Sequence, residues 1–403
     1  MERYKYYLAL TSQLPFCSVP LRIDTYNNCQ FGCAFCFSKS RGGYINGSKN
    51  QAIRVDNLRK RLVRVGNGDI RNAIDEFLDR RIPVQLGGMN DPFSLWELDK
   101  GVTKETLRVL ADHDYPTILS TKSTQISNPN VLELLAAGNF YVRQSITPLP
   151  PESACFVEKG VPSAHERLQS TKVLAEAGVP VSIRLQPILY GFEDYAESLI
   201  KDASKAGAKH ISVEYLKWPI ESNSKQFNDM KSAFPNMLDL YKSLGATLVG
   251  REFVLPANVK YGPLMRLKTL AESLGLVFGF AENEFLLLNK FHSCCNGADM
   301  FLKNAAFFDA NITGILKRQL GKSEFKFALP AQIWIPSANV FSHINSRSRP
   351  RELPEESNKE RWKFYLSQKW NSSKQRGGPL SYWGFEDTNK LDDNGNKIFK
   401  LNA

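Results

Sequence analysis

The 403-residue sequence lacks most of what several protein classes require. It has no apolar run of about 18 residues, so no stretch reads as a transmembrane helix. The opening Met1-Glu2-Arg3-Tyr4-Lys5-Tyr6-Tyr7 lacks the apolar core and small-residue cleavage site of a signal peptide. Histidine is scarce, and His113, His165, His210 and His343 show no metal-ligand spacing. There is no Ser/His/Asp set, Walker loop or zinc-protease motif. Cysteine numbers only seven, an odd count, with three clustered. That usage suits a reducing cytosol better than a disulfide framework, so the expectation is a cytoplasmic protein with no membrane partner.

What is present describes an ordinary globular chain, 42% hydrophobic and 23% charged. Its length accommodates one α/β domain of roughly 200–250 residues plus an extension. Lysine and arginine number 52 against 41 acidic residues, a net charge of +11. Such a surplus favours polyanionic partners, nucleic acid among them.

The stretch around which the chain is organised is Cys29-Gln30-Phe31-Gly32-Cys33-Ala34-Phe35-Cys36. Thiolates are soft ligands suited to iron–sulfur clusters or zinc. A closed structural site needs four protein ligands, and this run offers three. Either one metal position stays open for a reactant, or Cys294 or Cys295 completes a zinc loop.

Alternation from Leu21 to Thr25 predicts a first strand running into the cysteine loop, and Pro83 to Gly88 a second. Further strands are expected at 117–121, 141–146, 180–185 and 210–215, with Pro187 just beyond the fifth. Helices are expected at 52–64, 69–81, 103–112, 130–137, 163–177 (closed by Gly178) and 194–206. This alternation implies a parallel sheet. The basic 52–64 helix reads as phosphate-tracking or as a solvated face. Beyond Trp218 the rhythm changes to helical segments near 224–244, broken at Pro235, and 263–274, then a strand at 276–280. The last sixty residues are basic, polar and turn-rich, a nucleic-acid arm or a solvated extension, with a hairpin turn at Asp393-Asn394-Gly395.

The spacing of the three cysteines, with an aromatic before the last, resembles the signature of the radical S-adenosylmethionine (SAM) enzymes. Further motifs follow in order: Gly87-Gly88-Met89-Asn90-Asp91-Pro92-Phe93, Ser120-Thr121-Lys122-Ser123, Gln144-Ser145-Ile146, Pro162 to Leu168, and Ala177 to Arg184. Together they resemble the spore photoproduct lyase-like branch, often labelled DNA repair photolyases, over roughly residues 18 to 220. With the six strand–helix units it implies a partial (β/α)6 TIM-type barrel at 1–220; it does not cover the rest, which the change of rhythm marks as an α+β C-terminal extension at 221–403, expected over the barrel mouth. It implies that Cys29, Cys33 and Cys36 hold a 4Fe-4S cluster whose fourth iron is chelated by SAM. Reductive cleavage of SAM would then give a 5′-deoxyadenosyl radical that abstracts hydrogen from the substrate. Phe35 would pack near the adenine. Gly87, Gly88 and Asn90 would face the methionyl amino end, and Lys122, Ser145 and Arg184 the carboxylate and ribose. An electron donor such as flavodoxin or ferredoxin is the implied partner.

Two positions depart from that lyase. The aromatics beside Cys36 are Phe35 and Phe37 rather than tyrosine, and Gln85 to Phe93 holds no cysteine. The expectation is therefore a relative with another substrate, a nucleic-acid base or nucleotide, the enzymatic alternative being a peptide or protein side chain. Cys294 and Cys295, between His292 and Gly297, are candidates for hydrogen donation or for a second iron–sulfur cluster with Cys17 or Cys155. The reading from another class is a zinc-stabilised nucleic-acid-binding protein without catalysis.

Overall fold

The structure is a computed structural model that describes residues 7–40, 51–220, 225–290, 296–344, 349–350, 352–372 and 377–402. Cys294 and Cys295, and most of the basic stretches 346–351 and 374–376, lie outside the described residues. The chain forms two compact units, one of residues 1–7, 24–55 and 86–279, the other of 8–23, 56–85 and 280–403. This division differs from the boundary at 220/221 that the change of rhythm suggested. The reason is visible at Val277–Phe280, which extends the sheet beside His210–Tyr215 and keeps residues up to 279 with the first unit.

The first unit is mixed α/β. Its strands Thr117–Thr121, Phe140–Ser145, Val181–Ile188, His210–Tyr215 and Val277–Phe280 lie side by side in that order. The first four run parallel, and among the described residues no closed barrel forms. Near-continuous burial along these strands is what a parallel sheet covered on both faces requires. Val181–Ile188 runs three residues past its expected end, because Pro187 is absorbed in a register shift between Leu185 and Ile188. Helices Pro129–Ala137, Ala164–Glu176 and Glu193–Lys205 connect successive strands. Glu193–Lys205 buries Ala196, Ile200 and Ala203, the stripe that a period of about 3.6 creates. Ala164–Glu176 starts at a capping box in which Ser163 and Glu166 satisfy each other's backbone amides.

In the second unit, Ala9–Leu10 pairs antiparallel with Leu21–Ile23, which neighbours Val84–Leu86. Its core is aromatic. Phe77 meets Phe308 and Trp334 edge-on at 5.2 and 5.1 Å, and Phe308 lies 5.9 Å from Trp362. The basic helix spans Val55–Gly66, and two of its arginines turn inward. Arg61 and Arg64 grip the buried Asp75 at 2.6 and 2.8 Å. Those two side chains therefore hold the helix against Ala73–Asp79 rather than forming a solvated face. Among its described residues the C-terminal region is likewise packed. Helix Asn358–Trp370 buries Trp362 and Trp370, and hairpin Phe385–Leu391/Lys397–Leu401 closes at 392–395.

Candidate active site

The root of the cysteine loop is anchored before the thiols begin. Asp24 is buried, and its Oδ1 accepts from the amides of Met89 (2.7 Å) and Asn90 (3.3 Å). Asn90 Nδ2 donates back to the Tyr26 carbonyl at 3.0 Å. Tyr26 donates to Glu97 (2.5 Å), which also accepts from the Thr103 and Lys104 amides, both at 2.8 Å. The cysteine loop and the Gly87-Gly88-Met89-Asn90 turn are thus one hydrogen-bonded assembly.

Within the loop, the Cys29 amide donates to Asn28 Oδ1 (2.8 Å) and the Cys36 amide to the Cys33 carbonyl (3.3 Å). Gly32 and Cys33 pair antiparallel with Lys159 and Glu158, and the Ala34 amide donates to the Val157 carbonyl at 2.8 Å. Cys33 is buried, and Cys29 and Cys36 are partly so. Desolvation pushes the Cys29 thiol well above its ordinary value, and the charges of Asp91 and Cys33 add to the push. A thiolate there needs a compensating cation. The donor set of three soft thiols in one loop therefore fits iron–sulfur ligation. Among the described residues, however, no three His, Cys, Asp or Glu side chains are gathered as a ready-made metal site.

Gly87 has φ +83°, and a Cβ there would come within 2.5 Å of the Ser120 carbonyl oxygen and 2.7 Å of Pro92 Cδ. Only glycine lets the turn lie this close to the neighbouring strand. Asn90 is buried, and its Oδ1 has no partner among the described residues, an acceptor waiting for a donor. Asp91 ties the turn to the next strand end, accepting from Thr121 Oγ1 (2.7 Å) and the Lys122 amide (2.6 Å). Burial still pushes its carboxyl up.

Register places the remaining candidates in one row. Thr121 pairs with Gln144, so Lys122 follows beside Ser145, and Ser145 pairs with Arg184. Partners across a ladder share a face, so Ser145, the last residue of its strand, and Arg184, midway along Val181–Ile188, lie on one face, with Lys122 just past the end of Thr117–Thr121. Lys122 Nζ lies 2.5 Å from Glu158 Oε1 and 5.3 Å from the centre of the Phe35 ring. Glu158 also accepts from Arg167 Nη2 and Thr147 Oγ1, both at 2.6 Å. Burial alone would raise the Glu158 carboxyl, but the charges of Lys122 and Arg167 override it and hold it down at about 2. Arg184 Nη2 sits 3.8 Å from Glu214, which also bonds Lys217 and Gln186. There too burial opposes ionisation, yet Lys217 and Arg184 keep the carboxyl below its usual range.

No family model matches this chain. Uncharacterized proteins of Mycobacterium tuberculosis and Mycobacterium bovis are 23% identical over 234 residues, 56% of this chain and 68% of each relative. Among solved structures, a spore photoproduct lyase complexed with dinucleoside spore photoproduct superposes with a TM-score of 0.53 at 15% identity, covering 69% of this chain and 81% of that one. A mutant of spore photoproduct lyase with bound AdoMet and the same dinucleoside gives 0.51 at 15% identity, over 66% and 78%. This chain has the fold of spore photoproduct lyase.

On that fold, the structure joins the cysteine loop to Asn90 through backbone and side-chain hydrogen bonds, and pairs Ser145 with Arg184 by register, with Lys122 one residue past the Thr121–Gln144 pair. Lys122 and Arg184 are engaged by carboxylates, Glu158 and Glu214, which sequence reasoning did not single out. Glu158 lies in a two-residue strand without periodicity, so no local signal marked it. Asp24 and Asp91 were more accessible. Each follows a strand by a few residues, where a carboxylate can gather loop amides. Cys17 and Cys155 are free thiols, Cys155 exposed.

Proposed function

We infer that this protein is a radical SAM enzyme acting on a nucleic-acid base or nucleotide. The observation that carries the reading is the hydrogen-bonded union of the three-thiol loop with the glycine turn, made by Asp24, Met89, Asn90 and Tyr26. Cys29, Cys33 and Cys36 would hold a 4Fe-4S cluster, which when bound supplies the electron for reductive SAM cleavage. The unfilled Asn90 Oδ1 suits the ammonium of a methionyl group, since an ammonium brings only donors. Lys122 and Arg184 supply the cationic donors that a carboxylate needs, and Ser145 a hydroxyl in the same row. Phe35, with Lys122 over its ring, offers a flat apolar surface to an adenine. The net charge of +11 favours a polyanionic substrate over a peptide.

The test is anaerobic reconstitution with iron and sulfide counting, then dithionite reduction with SAM and assay for 5′-deoxyadenosine. About four irons per chain are expected, with both cluster and 5′-deoxyadenosine lost in Cys33→Ala. About eight would assign Cys294 and Cys295 to a second cluster. Zinc in place of iron, with no SAM cleavage, would overturn the reading in favour of a zinc-stabilised binder. For the substrate, oligonucleotide affinity should fall steeply as salt rises, because phosphate contacts release counterions. A flat salt response would remove nucleic acid as the substrate class.

A further inference from the structure

We propose that Glu158 is the positioning residue of the cysteine loop, fixing Gly32–Cys33 so that the middle thiol is presented for ligation. The inference rests on reading Cys29, Cys33 and Cys36 as ligands. The ladder between Gly32–Cys33 and Glu158–Lys159 is only two residues long on each side. A pairing this short does not persist in water without anchoring. Gly32 permits the approach, since a Cβ there would already sit 3.0 Å from Lys159 Cβ. The anchor is the Glu158 carboxylate, whose side chain is 2% exposed.

Its three donors come from three separate places. Lys122 Nζ (2.5 Å) follows strand Thr117–Thr121, Thr147 Oγ1 (2.6 Å) follows strand Phe140–Ser145, and Arg167 Nη2 (2.6 Å) belongs to helix Ala164–Glu176. Arg167 also donates to the Ser145 carbonyl at 2.6 Å, so the knot reaches the end of a sheet strand. From Glu158 the restraint passes along the ladder to Cys33, and from Val157 to the Ala34 amide. A second arm runs through Lys122 to the Phe35 ring. Two cations around one carboxylate leave a surplus positive charge beside the loop, the sign that favours bound thiolates.

The test compares wild type with Glu158→Gln and Thr147→Val, first without cluster and then after reconstitution. In the cluster-free protein, Glu158→Gln should speed hydrogen exchange at the Ala34 amide and alkylation of Cys33 by ~10-fold. The Lys209 amide, bonded to the Val181 carbonyl at 2.9 Å and outside the Glu158 network, serves as the internal control and should not change. After reconstitution, the variant should retain less iron and its reduced cluster should give an altered paramagnetic resonance spectrum. Unchanged Ala34 exchange and Cys33 reactivity in folded Glu158→Gln would overturn the proposal, as would equal acceleration at Lys209. If Glu158→Gln does not fold, Thr147→Val decides, because it removes one hydrogen bond and leaves both ion pairs. A ~3-fold acceleration at Ala34 is then expected, and none overturns the proposal. A wild-type protein that takes up no iron while Ala34 still responds would sink the ligand reading and leave the positioning role intact.

Discussion

Gly87 tolerates no side chain, for two separate reasons. Its φ of +83° is strained for any L-residue, and the Ser120 carbonyl and the Pro92 ring already occupy the space of a Cβ. Gly87→Ala should cost at least ~2 kcal/mol in urea unfolding, since neither backbone nor ring can yield cheaply. A loss under a few tenths of a kcal/mol would show the turn to be slack. His210 makes a second prediction. Its ring is buried and bonded to Ser182 Oγ at 2.8 Å, and burial, then the nearby Arg143, lower its pKa to about 3. Between its ordinary value of about 6.5 and about 3, the unfolded chain binds a proton that the folded chain refuses. Stability should therefore fall as pH drops through that window, by up to ~1.4 kcal/mol per pH unit from this group. His210→Asn should flatten that acid limb in urea titrations at successive pH values. An unchanged slope would remove His210 as its source.

At the scale of elements, legibility followed whether local signals and tertiary contacts agreed. Thr117–Thr121 and His210–Tyr215 match their expected limits to the residue, because the first is rich in β-branched residues and the second alternates polar with apolar residues. The helix expected from 163 to 177 is the observed Ala164–Glu176 with Ser163 and Ala177 as its caps. Ser163→Ala should cost ~1 kcal/mol in urea unfolding through the lost cap. Iron uptake should stay unchanged, since Ser163 Oγ bonds only within its own helix start. The helix expected from 69 to 81 begins later, at Ala73, because Asn72 Oδ1 takes the amides of Ile74 and Asp75. That capping signal was present in the sequence and passed over. Pro151–Val157 and Glu158–Lys159 were not legible at all, as neither carries a period and the second pairs with Gly32–Cys33, over a hundred residues distant. In the candidate site the same contrast holds. The cysteines are marked by spacing, and Lys122, Ser145 and Arg184 by the motifs of the family resemblance, whereas Glu158 and Glu214 stand out only through contact.

At the scale of the whole molecule, the change of rhythm after Trp218 suggested a boundary that the contacts do not respect. The second unit is assembled from three separated stretches, and its early segments depend on the late one. The Phe308 amide donates to the Ser18 carbonyl and the Ile312 amide to the Pro15 carbonyl, both at 2.9 Å. Thr313 Oγ1 donates to the Phe16 carbonyl at 3.0 Å. Glu76 accepts from the Ser337 amide (2.7 Å) and hydroxyl (2.8 Å), while Phe77 packs on Phe308 and Trp334. A fragment of residues 1–220 would expose Phe77 and leave the carbonyls of residues 15, 16 and 18 without these donors. It would also strip Val277–Phe280 from beside His210–Tyr215. Exposed aromatic surface and an unpaired sheet edge together favour aggregation over folding. The fragment should therefore lack a cooperative urea transition and precipitate on concentration, although it contains every residue expected to bind cluster and SAM. The full chain should unfold cooperatively under the same conditions. A soluble 1–220 fragment with a sharp transition and wild-type iron uptake would mean that residues 1–220 fold and bind iron without residues 221–403.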